Sequence, residues 1–220
     1  MTIIAASGRP DQVVEANLKT IESHVLQLFA LVSGGLAAVT AAFLDEDRRV
    51  ASTLVADDHL IDQLQTSTEH LVQRLLMNRT LLTEEELHLL IAVLRIVPEL
   101  ERSGDLVEHI ALRTPQGLAD QISAKARGMV AEMGRIGVEL WRGATDAFAD
   151  RDPDAAIGLR RLDDEIDDLH VRLSAELAAT LTSVPMAIEM SLVARFYERL
   201  GDHAVNVARR VPRFVGAPGV

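Results

Sequence analysis

Eight carboxylates carry the chemistry open to this sequence. Glu101 and Asp105 lie four residues apart, as do Glu198 and Asp202, Asp58 and Asp62, and Asp163 and Asp167. On an α-helix, residues i and i+4 share a face, so each pair offers oxygen donors one turn apart. Four such anions gathered from two helices repel strongly unless some take up protons or a cation lies between them. A metal ion is the economical resolution. An all-oxygen donor set suits hard or borderline ions, among them magnesium, manganese, calcium and iron, and zinc also accepts carboxylates. Gly104 and Gly201 stand between the two acids of their pairs. A helical glycine costs about 1 kcal/mol relative to alanine, so its presence points to a need for close approach by a neighbouring helix or an ion.

The pairs belong to a duplicated chain. Glu101-Arg102-Ser103-Gly104-Asp105 with His109-Ile110-Ala111 returns as Glu198-Arg199-Leu200-Gly201-Asp202 with Asn206-Val207-Ala208, 97 residues later at every matched position. Upstream, Ala42-Phe43, Asp45, Asp47, Asp58 and Ile61-Asp62 return as Ala147-Phe148, Asp150, Asp152, Asp163 and Ile166-Asp167, 105 residues later. The change of offset predicts a shorter connection between Glu176 and Pro185. The halves meet near Thr114-Pro115, giving domains over 1–114 and 115–220.

The elements that must position these acids are helical. Apolar residues recur at three- and four-residue spacing, and Pro and Gly clusters fall between long periodic segments. The pattern predicts helices over 11–46, 48–78, 84–113, 116–151, 153–181 and 184–212. Thr83 with Glu86 forms a capping box, while Asp152-Pro153 and Ser183 before Pro185 mark two further starts. Pro98 is expected to kink the third helix just before Glu101. The fold class is all-α, a tandem repeat of two three-helix bundles.

Composition narrows the function classes. The chain has 220 residues, 22 Lys+Arg against 33 Asp+Glu, a net charge of −11, and 3% aromatic residues. It has neither a basic footprint nor a stacking platform, so nucleic acid is not an expected partner. With no Cys there are no disulfides, thiolate zinc sites or iron–sulfur ligands. Met1 to Pro10 lacks the pattern of a secretory signal, and the expected location is the cytoplasm. Val25 to Leu44 is free of charge for twenty residues, long enough to cross a bilayer at about 1.5 Å per residue. Its counterpart, Val130 to Ala149, carries Glu132, Arg135, Glu139, Arg142 and Asp146, which favours a buried bundle helix. The apolar surface also suits a dimer or a membrane partner, with Gly34-Gly35 permitting close packing.

A single acid pair on a helix is usually a solvated face with basic partners, here Arg102 or Arg199. Four pairs at matched positions favour cation binding instead. His109 continues the Glu101/Asp105 face by a turn, and Asn206 holds its place in the second half. His59 and His203 sit one residue around the helix and point elsewhere; Trp141 reads as core or interface. No glycine-rich anion loop is present, so direct phosphate or nucleotide binding is not expected.

The Glu-Arg-x-Gly-Asp phrase followed by Asn206-Val207-Ala208, with an Asp-x-x-Ile-Asp helix before it in each half, resembles the PhoU family of bacterial phosphate-signalling regulators over roughly residues 12–212. The resemblance implies two similar three-helix bundles, metal clusters held by the acid pairs, and a regulatory rather than catalytic role. It further implies restraint of phosphate uptake and of the phosphate-starvation response, between a phosphate ABC transporter ATPase and a sensor histidine kinase. A homodimer that meets membranes only through its partners completes that picture. The metal-binding roles carry over to Glu101, Asp105, Glu198 and Asp202, then to Asp58, Asp62, Asp163 and Asp167. The chain departs from the family pattern at His109, at Ser103 and over Thr83–His88, which bears on the first-half site. Two other classes compete. A carboxylate-bridged metalloenzyme would use a Glu-x-x-His spacing that none of the four acid pairs supplies, and a plain helical adaptor would bind no metal tightly.

Overall fold

Several helix ends fall where the sequence supplies a cap. The computed structural model describes residues 10–152, 154–180 and 183–211. Helix α1 (Pro10–Asp45) ends at Glu46, left-handed at φ 53°, and the Asp47 N–H returns to the Ala42 carbonyl at 2.9 Å. Helix α5 (Ala124–Ala149) closes identically, with Arg151 at φ 58° and the Asp152 N–H on Ala147 at 2.9 Å. These Schellman-type closures fall at matched positions of the duplication, so the backbone repeats what the sequence repeats.

Asp47 then caps α2 (Arg48–Asp57), accepting the Arg49 and Val50 N–H groups at 3.0 Å. The predicted helix over 48–78 is two helices, α2 and α3 (His59–Met77), broken at Asp58. His59 Nδ1 lies 2.7 Å from the Ala56 carbonyl, a side-chain bond that competes with the helical ladder at that point. One site carboxylate therefore sits at a break rather than inside a helix.

Helix α4 (Glu84–Ala111) opens with the expected capping box: Thr83 Oγ1 accepts the Glu86 N–H at 3.2 Å and Glu86 Oε2 accepts the Thr83 N–H at 2.7 Å. Thr83→Ala is expected to cost about 1 kcal/mol, a fall of roughly 2–4 °C in thermal unfolding for a chain of this size. The helix continues through Pro98. The segment predicted as the start of a helix at 116 instead forms two 3₁₀ turns, Thr114–Gln116 and Ala119–Gln121. Gly117 at φ 64° interrupts the helical path, and Ser123 supplies the true cap of α5, accepting the Ala126 N–H at 3.1 Å. Arg127 ties this connection to the end of α1 through the Leu44 carbonyl at 2.7 Å and the Ala119 carbonyl at 3.2 Å.

Helix α6 (Ala155–Thr180) begins two residues later than predicted, Pro153 lying outside the described residues, and α7 (Val184–Ala208) ends four residues earlier. At most three residues, 181 and 182 of them outside the described ones, separate α6 from α7, where six, including the 3₁₀ turn Arg79–Leu81, separate α3 from α4. The shortened second connection is where the change of offset placed it.

No strand occurs among the described residues. Helices α1, α2–α3 and α4 pack as one bundle, α5, α6 and α7 as the other, and the two join through α1 on α5 and α4 on α7. Helix α1 is long and apolar enough to span a membrane, yet it is a bundle helix: Val25, Leu28, Phe29, Val32, Leu36 and Val39 are fully buried. Phe29 packs between Trp141, edge-on, and Phe148, tilted, both of α5, with ring centroids 6.2 and 5.7 Å apart. Gly134 meets Thr40 so closely that any added Cβ would overlap it. Thr40 Oγ1 in turn lies 2.9 Å from Tyr197 OH, joining α1 to α7 in the core.

Candidate metal centres

The helix pairs α3/α4 and α6/α7 bring the predicted acids together, four in each half. Asp58 stands at the α2/α3 break, half-buried, with Asp62 exposed one turn on; Glu101 and Asp105 face them half-buried from α4. In the second half Asp163 and Glu198 are half-buried while Asp167 and Asp202 are exposed. The glycines act as the sequence suggested. A Cβ at Gly104 would lie 2.6 Å from Ile61 Cδ1 and 3.4 Å from Asp58 Oδ1, and one at Gly201 would overlap Asp163 Oδ1 outright. Gly201 lets the Asp163 carboxylate lie against the α7 backbone, whereas Gly104 makes room first for the Ile61 side chain beside Asp58.

The electrostatics are those of crowded anions. Burial, followed by the charges of Asp202, Asp167, Asp164 and Glu198, pushes the Asp163 carboxyl up to about 7. Burial, then Glu108, Asp105 and Asp62, pushes Asp58 up to about 6. Glu101 rises through burial with Asp105 and Asp62, and Asp167 through burial with Asp202. Burial also raises Glu198, although its ion pair with Arg195 opposes the rise. Arg102, the basic partner that a merely solvated acid face would use, contacts Glu99 at 3.3 Å and acts on Glu101 through its charge alone.

Several groups beside these sites escaped the motif. Glu108 is the strongest charged neighbour of Asp58; it lies seven residues after Glu101 and three after Asp105, so its place on the same face was legible. His170 extends Asp163 and Asp167 on α6 in the same way and interacts with Asp167. Glu99 is only 5% exposed and belongs to the joint between the halves. His203 Nδ1 contacts its Oε2, and Arg210 Nη1 reaches its Oε1 at 2.8 Å. His203 thus turns away from the acid face, as expected. His109 packs its ring on Phe196 of α7, with centroids 5.4 Å apart, and stays close enough to Asp58 to lower its carboxyl.

The second-half donors fit a hard cation. Asp163 Oδ1 and Glu198 Oε2 are buried without a hydrogen-bond partner, an arrangement that costs free energy unless a proton or a cation satisfies them. As the side chains stand, no three His, Asp or Glu groups among the described residues are gathered tightly enough to hold an ion, so binding would require the exposed acids to swing inward.

The family profile described as PhoU domain matches residues 25–114 and again 130–211. The chain belongs to the PhoU family. Among its relatives, the Mycobacterium tuberculosis phosphate-specific transport system accessory protein PhoU homolog 2 is 31% identical over 200 residues, covering 88% of this chain and 92% of the relative. The corresponding PhoU homolog 1 of Mycobacterium leprae is 30% identical, covering 88% of each. The crystal structure of PhoU from Pseudomonas aeruginosa superposes with a TM-score of 0.82 at 27% identity, covering 90% of this chain and 96% of that one. The phosphate transport system regulatory protein PhoU from Streptococcus pneumoniae shares the fold at a TM-score of 0.81 and 24% identity, covering 90% and 94%. The PhoU domain thus occurs twice along an all-α chain.

Proposed function

We propose that this PhoU-family chain is a non-catalytic regulator of phosphate uptake and of the phosphate-starvation response. It would restrain both from the cytoplasm, as a homodimer, between a phosphate ABC transporter ATPase and a sensor histidine kinase. The observation that carries the reading is the twice-repeated, acid-lined helix pair in a chain whose relatives are named phosphate-specific transport system accessory proteins. In this reading Asp58, Asp62, Glu101 and Asp105 hold one metal and Asp163, Asp167, Glu198 and Asp202 another, with iron, manganese, magnesium or zinc as the candidates. A bound ion supplies positive charge between facing carboxylates. The chain's part is to hold α3 to α4 and α6 to α7 through those acids, so that bundle shape follows ion occupancy.

The experiment for the regulatory role is an affinity pull-down from host membranes grown with ample phosphate. Recovery of a phosphate-transporter ATPase or a sensor kinase supports it, and recovery of neither by folded, metal-loaded protein counts against it. For the sites, elemental analysis of protein purified without chelator is expected to find metal that falls by about half in Glu101→Ala/Asp105→Ala, since one of two sites is removed. Unchanged metal content in that variant would sink the first-half assignment.

A further inference from the structure

The two halves repeat in fold but not in what their first helices expose. Helix α1 presents Leu26, Ala30, Gly34, Ala37 and Ala41 to the outside. The residues 105 positions later on α5 are just as exposed and read Ala131, Arg135, Glu139, Arg142 and Asp146. Arg135 there pairs with Glu132 at 2.8 Å and Glu139 at 2.9 Å, as a solvated helix face does. The same surface on α1 is uncharged over more than three turns.

Beside that stripe lies a cavity of about 210 Å³ between α1, the α2/α3 break and α4. Leu31, Leu54, Ile61 and Val107 form its apolar wall, and Asp57, Asp58 and Glu108 are its acids. None of these three carboxylates makes an ion pair among the described residues, and with Asp58 assigned to the metal, Asp57 and Glu108 are the acids open to an incoming cation. The cavity adjoins a shallow groove of about 680 Å³ between α1 and α3, floored by Ala30, Leu31, Leu60 and Leu64. The cavity alone is smaller than the roughly 300–1,000 Å³ usual for small-molecule sites, and a bare metal ion has no use for its hydrocarbon wall. An aliphatic stem ending in a positive charge matches both parts, the stem on Leu54, Ile61 and Val107, the charge at the carboxylates.

We infer that the α1/α3 groove of the first half is the docking site for a cationic amphipathic helix of a protein partner, whose Lys or Arg side chain enters the acid-rimmed cavity while its apolar residues lie along Ala30, Leu60 and Leu64. This is helix-in-groove recognition, and the small residues at 30 and 34 let the incoming helix approach α1 closely. It rests on the regulatory reading above, to which it adds the partner surface and the chemistry of what binds there.

The test uses the full chain and a variant that restores the second half's charges, Ala30→Arg with Gly34→Glu. Net charge is unchanged, both positions are exposed, and a Cβ at Gly34 meets nothing within 4 Å, so the fold is retained. A fluorescent Leu/Lys amphipathic helical peptide is expected to bind the wild-type chain at least about tenfold more tightly than the variant, a difference of about 1.4 kcal/mol, while a Leu/Glu peptide binds neither. Equal affinity of the Leu/Lys peptide for both chains overturns the proposal, because it reports only general attraction to an acidic protein. A wild-type dimer that the double substitution turns into a monomer also overturns it, since the occupant would then be a second copy. In the host, a deletion strain complemented with the variant is expected to lose restraint of a phosphate-starvation reporter. Restraint equal to wild type, with the deletion derepressed, removes the groove and leaves the regulatory reading standing. A deletion without effect removes the regulatory reading, and the peptide titration still decides the groove.

Discussion

Chelator-stripped protein carrying Asp163→Asn and Glu198→Gln is expected to unfold at a higher temperature than stripped wild type at about pH 7.5, and to gain nothing from added manganese. The two oxygens concerned are buried and unpartnered, so ionising both in the absence of a cation costs the folded state. The sign follows from the shift. Asp163 is raised from 3.8 to about 7, so between those values the folded protein holds a proton the unfolded chain has released. Its stability contribution is complete below 3.8 and is lost as pH rises through 7. Asp58, raised to about 6, adds the same trend over a narrower window. Amides at 163 and 198 remove the largest part of this dependence, worth about 1–2 kcal/mol once solvent screening at the half-exposed site is allowed for. On the proposed metal-binding reading, the ion supplies the opposite term. Wild type at a manganese concentration 100 times its dissociation constant gains about 2.7 kcal/mol by mass action, and the variant lacks the donors to realise that gain. Thermal unfolding across pH, with and without the ion, measures both effects together. A stripped wild type as stable as the amide variant at every pH would show that the second-half carboxylates are not crowded, and would remove the physical case for a metal there.

The repeat made most of this architecture readable, and the misreadings have local causes. Positions 97 or 105 residues apart share not only residue types but backbone events, the left-handed Glu46 and Arg151 being the plainest case. Helix ends were legible where a cap was written in side chains, as at Thr83. They were not where the interruption came from a ring taking a backbone carbonyl at His59, or from Gly117 adopting a positive φ inside otherwise periodic sequence. The acid pairs were legible because a four-residue spacing fixes a shared face. Which helix each face meets is a tertiary fact, and Glu108 and His170, which continue the same faces, carry no repeat signal because their counterparts are Val205 and Gln65. The Glu99 cluster was invisible for a further reason. Its members come from two halves that the repeat describes separately, and Glu99 has no counterpart acid, since Phe196 occupies its place.

That substitution of Glu99 for Phe196 breaks the symmetry of the joint between halves, and it carries the second large prediction. Helices α4 and α7 meet antiparallel across an approximate dyad. Arg113 lies over the Phe196 ring, 4.9 Å from its centroid, and reaches Glu189 at 2.9 Å. Its duplicate Arg210 reaches Glu99 at 2.8 Å. One arm of the joint is therefore a cation on an aromatic ring and the other a buried ion cluster. Burial works to raise the Glu99 carboxyl, but hydrogen bonds from His203 and Arg210 and their charges outweigh it and hold the group below its ordinary 4.5. Glu99→Ala leaves the His203 imidazole at the seam without its acceptor and the Arg210 guanidinium without its counter-charge, with only the Arg95 carbonyl at 2.5 Å still accepting from it. Breaking a buried pair in this way costs about 3–5 kcal/mol; because Arg210 is one-third exposed and can turn to water, about 2–4 kcal/mol is expected here. Glu99→Gln keeps an acceptor and loses less. The cluster also has its own pH signature, opposite to that of Asp163. The stability it adds is present above 4.5 and is lost as pH falls through the lowered folded value, so wild type and Glu99→Gln should converge in acid and separate near neutrality. Because Glu99 lies two residues before Glu101 and His203 directly follows Asp202, the cluster fixes the register of both acid-bearing helices at once. Loosening it should weaken manganese binding in both halves together, whereas a purely local role would leave metal content unchanged in elemental analysis of Glu99→Ala.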